Sequence, residues 1–418
     1  MFLRLSPWRT GLRRTLTTAA PFTLLFVASM VQLAVIHEAR IEAEESKPAV
    51  RYVGDASCAS CHALQGKFYE KTSHRLTLQL PSKRSILGSF QPGSNVLQTL
   101  DPKSSLLGDG LSFQMQIKDN YFYQTARRSE IQDLDQTIKV SEHTERIDLV
   151  TGSGVRGQSY LYWKTDELYE LPVSYWSEGR RWINSPGYPD GSAIFDRPVT
   201  ARCLECHTTF VEAVADEPHG NRYIASSLIG GITCEKCHGP GARHVELEKE
   251  SEASKRLSAE AIINPKRFSR DRQVDLCALC HNGAKREART PAFSFIPGQP
   301  LDASFGPEPV EESAEPEIHG NQVGLLKRSR CYQSSPTMTC STCHDEHALE
   351  LPADDYSERC LSCHTVDSCG VAKASVHSNK KGCIGCHMPI QPTNAIVSET
   401  GGRVVRARIR THWIRVYR

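Results

Sequence analysis

Seven copies of one pentapeptide, C-x-x-C-H, constrain this 418-residue chain more than any other feature. They occupy positions 58–62, 203–207, 234–238, 277–281, 340–344, 360–364 and 383–387. A single C-x-x-C is as readily a zinc knuckle or a redox dithiol. Zinc, however, has no need of a histidine directly after the second cysteine in every copy. A covalently attached haem does: two thioethers pin the porphyrin edge, and the adjacent imidazole takes one axial position on the iron. The pattern predicts seven c-type haems. Their covalent anchors are Cys58, Cys61, Cys203, Cys206, Cys234, Cys237, Cys277, Cys280, Cys340, Cys343, Cys360, Cys363, Cys383 and Cys386, and the proximal ligands are His62, His207, His238, His281, His344, His364 and His387.

This reading explains a modest composition. Hydrophobic residues make up 39% of the chain, little for its length. Buried porphyrins take the place of much of a side-chain core, so the protein around them can be compact with little regular structure. Of 16 cysteines the motifs use 14, leaving Cys331 and Cys369 as a disulfide pair in an exported protein. The 50 basic and 48 acidic side chains give a formal charge of +2. Two propionates per haem would turn the assembled protein acidic, so nucleic-acid binding finds no support.

Along the chain, residues 1–40 carry Arg4, Arg9, Arg13 and Arg14 before an uncharged run from Leu16 to Ile36. That is an export signal or an N-terminal membrane anchor, since the run sits at the roughly 20-residue length needed to span a bilayer. Either way the bulk lies outside the cytoplasm, periplasmic or anchored facing the periplasm. Residues 41–51 form a linker and 52–85 the first haem segment. Residues 86–200 contain no cysteine, and their apolar period changes to two: 111–117, then Asp119 and Asn120, then 121–125 predict a hairpin. Further strands fall at 137–140, 147–150, 159–163 and 168–176. Residues 201–418 hold six of the haems; there one longer helix is expected over 245–263 and a coreless acidic, proline-rich excursion over 297–317. The fold class is α+β, with short helices and loops packed around covalent haems, few long helices and an inserted antiparallel β region.

Sequence distance also bears on the second axial ligands. His244 follows His238 by six residues and His347 follows His344 by three, too few to pass round the same macrocycle, so each serves a neighbouring haem. His74 lies twelve residues beyond His62, about three helical turns. Several pieces of sequence carry a resemblance: Y-V-G-D-A-S-C-A-S-C-H at 52–62 with Ser73 and His74, C-E-K-C-H-G-P-G-A-R-H-V at 234–245, C-S-T-C-H-D-E-H at 340–347, C-I-G-C-H-M-P at 383–389 and R-T-H-W-I-R at 410–415. Spread over residues 50–418, they resemble the cytochrome c-552/4-like family of multihaem c-type cytochromes, whose members transfer electrons in bacterial respiratory chains. The resemblance implies distal-ligand roles for His74, His244, His347 and His412. Glu346 departs from it, because the family commonly has proline there, and a looser turn is expected.

His219, His319 and His377 complete a set of seven distal candidates. His37 at the anchor end and His143 on an expected strand end stand outside it. Two imidazoles on every iron would make closed, low-spin centres suited to moving electrons. The expected function is transfer between redox partner proteins, among them a membrane quinol oxidoreductase. The alternative is a nitrite- or hydroxylamine-type reductase with one open iron. No C-x-x-C-K motif is present, and no catalytic residue is singled out. A third possibility is a docking subunit built on the β insert. The closing segment alternates Val405, Ala407 and Ile409 with Arg406, Arg408 and Arg410, which predicts a strand with one apolar and one cationic face leading into His412. Denatured, acid-extracted protein is expected to retain seven haems per chain by mass, and fewer than six would break the motif argument.

Overall fold

A computed structural model describes residues 51–100, 110–132, 137–214, 220–250, 252–282, 286–307, 321–369 and 382–417. The expected signal or anchor at 1–40, and with it His37, lies outside them. So do His219, His319, His377 and the acidic residues 308–317. Residues 52–418 form one compact unit. Among the described residues no helix is long and apolar enough to cross a membrane.

The cysteine-free region is antiparallel β. Strands β1 (Leu78–Gln79), β2 (Val96–Gln98), β3 (Gly110–Lys118), β4 (Tyr121–Gln132), β5 (Thr137–Arg146), β6 (Leu149–Thr151), β7 (Gly157–Lys164), β8 (Glu167–Glu170), β9 (Val173–Trp176), β10 (Arg181–Asn184) and β11 (Arg197–Pro198) follow in order. β2 to β5 make one meander; β1, β6, β7, β8 and β11 form a second sheet, which β9 and β10 join through β7. Asp119 and Asn120 both take positive φ, 51° and 63°, as a two-residue hairpin with right-twisted strands requires. In β3 the side chains of Leu111, Phe113 and Met115 face the core with Tyr160 and Trp182. The stretch 168–176 is two strands, because Pro172 cannot supply a ladder N–H. Buried Gln124 ties the sheets together: its Nε2 donates to the Val173 carbonyl and its Oε1 accepts from the Val173 amide.

Helices are short; the longest described, Arg270–His281, has 12 residues. The helix expected over 245–263 is instead two, Ala242–Glu250 and Lys255–Glu260. Serines flank the break, and folding back brings Ser258 Oγ to Glu248 Oε1 and to His244 Nδ1. The excursion at 297–317 needs correction too. Its described part, 297–307, puts Leu301 and Phe305 into a core with Val274, Leu279 and Tyr332, since those two side chains match the apolar face of Arg270–His281.

After β12 (Thr208–Ala213) and β13 (Tyr223–Gly230), a last hairpin of β14 (Ile390–Thr400) and β15 (Arg403–Arg410) closes the chain. Val405, Ala407 and Ile409 are buried, as the alternation predicts. The hairpin docks on β10 through Ser398 and Thr400, which bond the Asn184 backbone. The insert and the C-terminal segment thus meet directly.

At the end of β13, Gly231 has φ +75°, and a Cβ there would lie 2.2 Å from the Arg75 carbonyl oxygen. The next amide, Ile232, donates to the His74 carbonyl. Gly231→Ala is expected to cost about 1–3 kcal/mol from positive φ and the backbone clash together, read as a lowered unfolding midpoint.

Candidate haem centres

One turn of helix explains how each motif works locally. Residues i, i+3 and i+4 share a helical face, so both thiols and the imidazole point the same way. The His62, His344 and His364 amides donate to the carbonyls of Cys58, Cys340 and Cys360 at 2.8, 3.0 and 2.9 Å, each closing that turn. Cys234–His238 and Cys383–His387 are one-turn helices, and the 277–281 motif ends Arg270–His281.

These turns line a single cavity of about 3120 Å³, several times the roughly 300–1,000 Å³ of a small-molecule pocket. All seven motif histidines and every motif cysteine except Cys203 face it, together with His74, His244, His347 and His412. Sulfurs from different motifs lie close together: Cys58 by Cys234, Cys206 by Cys280, and Cys277 by Cys340.

Within the cavity four motif histidines face four of the distal candidates. Ring centroids are 6.5 Å apart for His62 and His244, 6.0 Å for His238 and His347, 6.2 Å for His344 and His412, and 6.0 Å for His281 and His74. Metal–nitrogen bonds of about 2.0–2.1 Å, with the ring centre about 1.15 Å further back, put two trans imidazole centroids about 6.4 Å apart. The residues therefore fit a bis-histidine iron at each pair. Three pairs have nearly parallel rings, at 21°, 33° and 23°, whereas His74 and His281 are crossed at 76°.

The outer nitrogens are held in a way that frees the inner ones. Nδ1 of His238 bonds the Ile263 carbonyl at 2.8 Å, that of His244 the Ser258 carbonyl at 3.0 Å, that of His412 the Arg410 carbonyl at 3.3 Å and that of His387 the Arg415 carbonyl at 3.0 Å. A donated Nδ1–H leaves Nε2 with its lone pair, the form a metal binds. Burial pushes His281 and His412 down to about 4 and lowers His74 and His238, so these rings are neutral at neutral pH. His344 runs the other way: its Nδ1 lies 3.2 Å from Glu350 Oε2, which raises the imidazole and holds the Glu350 carboxyl down to about 2.

Several supporting residues escaped the sequence reading. Glu235, inside C-E-K-C-H, is buried and accepts from the Val53, Gly54 and Gly241 amides. Asp55 accepts from the Cys234 amide and pairs with Arg75 at 2.6 Å. Together they sew the first motif to the third. Ser329 Oγ donates to the His412 carbonyl and accepts from the Ile414 amide, fixing the last ligand candidate. An acid between two motif cysteines was the available signal for Glu235; Ser329 had none. The turn lacking proline at Glu346 is closed by side chains, with Asp345 accepting from the His347 amide and Glu346 from Ser341.

Three motif histidines lie apart from these pairs. Nδ1 of His207 is 3.2 Å from Thr151 Oγ1, and His207, His364 and His387 all reach the cavity. The candidates left for them, His219, His319 and His377, fall outside the described residues. His143 sits on β5, exposed, beside Glu145 and Phe195. Cys331 and Cys369 are free thiols in the structure, and Cys331 lies near Cys343 and Cys360. Arg410 donates to the Ile384 and Met388 carbonyls.

The chain is similar to multihaem c-type cytochromes, and that similarity supports covalently bound c-type haems. Residues 191–239 match the family described as cytochrome c554 and c-prime. Among curated proteins it is 25% identical over 218 residues to the C-type polyheme cytochrome OmcC of Geobacter sulfurreducens, covering 40% of this chain and 26% of that one. It is 27% identical over 179 residues to the multiheme cytochrome MtrA of Shewanella baltica, covering 39% and 51%. A longer match, 21% identical over 407 residues, is to the dissimilatory sulfite reductase MccA of Wolinella succinogenes, covering 81% and 51%. The chain thus spans between about a quarter and about half the length of these relatives. No solved structure matches.

The pairing of His412 with His344 is directly testable. His412→Ala is expected to convert one haem to a high-spin or water-ligated state in the low-temperature spectrum, with covalent haem content unchanged. An unaltered spin state would remove His412 from the ligand set.

Proposed function

We propose that this protein is an extracytoplasmic heptahaem electron carrier that passes electrons along a contiguous haem array between respiratory redox partners. The four histidine pairs at 6.0–6.5 Å carry the reading, because an iron with two imidazoles has no position left for a substrate. The haems would supply reversible one-electron chemistry. The chain's own residues hold them, fix their axial tautomers through outward Nδ1 bonds, and bring them into contact.

Contact is supported by the thiols. Cys58 against Cys234 brings the His62 and His238 sites together, Cys206 against Cys280 the His207 and His281 sites, and Cys277 against Cys340 the His281 and His344 sites. The distal ligands add to these links: His244, in the turn after His238, faces His62 and repeats one of them, whereas His347, in the turn after His344, faces His238 and joins a further pair. We assign His219, His319 and His377 to the irons of His207, His364 and His387, which closes all seven. The donor is a membrane quinol-linked oxidoreductase, and residues 1–40 carry the chain out of the cytoplasm.

A second reading is favoured by the match to a sulfite reductase over 81% of the chain. In it, one of the His207, His364 and His387 irons lacks its second histidine and reduces a small oxyanion. The two readings separate in a low-temperature spin-state spectrum of purified full-length protein. Electron transfer alone predicts seven low-spin haems and no sulfite- or nitrite-dependent oxidation of the reduced protein. One high-spin haem with such oxidation would establish the reductase.

A further inference from the structure

We propose that Glu350 is a positioning residue that sets the potential of the iron held between His344 and His412, making it the low-potential junction of the array. The inference rests on the bis-histidine reading. Its observation is a contrast in what the ligands' outer nitrogens touch. His238, His244, His387 and His412 each bond a backbone carbonyl. The outer nitrogen of His344 instead meets a carboxylate within hydrogen-bond distance, Glu350 Oε2 at 3.2 Å, whereas His347 Nδ1 and Asp345 Oδ1 stand 3.9 Å apart. The Tyr356 hydroxyl donates to the same Glu350 oxygen and stands 3.3 Å from His344 Nδ1 with its ring 5.4 Å away, so the carboxylate is held at the imidazole edge.

A full negative charge draws the Nδ1 proton more strongly than a carbonyl dipole does. The imidazole gains imidazolate character and its Nε2 becomes a better donor, which stabilises ferric over ferrous iron and lowers the potential. The hydrogen bond carries the carboxylate's charge directly to the ring edge. Glu346 supplies the comparison: it is a nearby carboxylate, but it bonds Ser341 rather than the ring.

The His344 site occupies a junction. Cys340 touches Cys277 of the His281 motif, Cys343 lies near Cys363 of the His364 motif, and His347, three residues on, faces His238. Electrons moving between those three arms cross this centre, and a low potential there makes it the step that gates exchange among them.

The test uses the full holoprotein. Glu350→Gln keeps the side-chain shape and removes the charge, and a spectroelectrochemical titration should show one component shifted upward with covalent haem and low-spin spectrum intact. Glu346→Gln, which removes a nearby charge that is not hydrogen-bonded to the ring, should give a clearly smaller shift. Placing Glu350→Gln on the His412→Ala background, where this one iron is open, should raise the potential of the high-spin component. It should also lower the iron–histidine stretching frequency of the reduced state. No shift in Glu350→Gln, or an equal shift in Glu346→Gln, overturns the proposal. Absence of a high-spin iron in His412→Ala overturns the pairing on which both readings stand.

Discussion

Two imidazoles about 6 Å apart, each contributed by a distant part of the chain, are the constraint to which the rest of this structure answers. A c-type motif fixes one face of a haem by local geometry, because a single helical turn aligns two thiols and a histidine. The opposite face has no local solution. It has to be reached from another segment, as His74 reaches His281, His244 reaches His62, and His412 reaches His344 from the end of the chain. Each such pair is a tertiary contact of long sequence separation, and each recruits supports. Glu235 and Asp55 join the first motif to the third; Ser329 holds the segment that carries His412.

The same constraint explains the division of labour between the two parts of the fold. Where haems lie, helices stay at one or a few turns, and side-chain packing is confined to small clusters such as that around Val274, Leu279 and Phe305. Where there are none, between β2 and β11, the chain builds an ordinary β core of Phe113, Met115, Tyr160 and Trp182. The two are joined by hydrogen bonds rather than by a linker. The β14–β15 hairpin sits on Asn184 and delivers His412 to the cavity, and Gly231 lets the β13 end lie against the backbone beside His74. The β region thus contacts the segments that carry His74 and His412.

Electrostatics differ among the ligands in a way that composition cannot show. Four outer nitrogens find carbonyls, whose dipoles fix the tautomer with little effect on charge; that of His344 finds an acid. A haem array can differentiate its members through such contacts even where covalent attachment and axial residue type are the same.

Much of this was legible in the sequence. The motif arithmetic, the hairpin at Asp119 and Asn120, the buried alternation of Val405, Ala407 and Ile409, and the rule that His244 and His347 cannot serve their own haems all depend on local periodicity or on the length of a short tether. Those are properties that a few consecutive residues determine. The partner of each histidine, the break that folds 242–260 into two helices, and the burial of Leu301 and Phe305 were decided by tertiary structure. Each is a meeting of segments whose separation in sequence carries no information about distance, and each exists because the remainder of the fold brings a particular acceptor, apolar face or imidazole within reach.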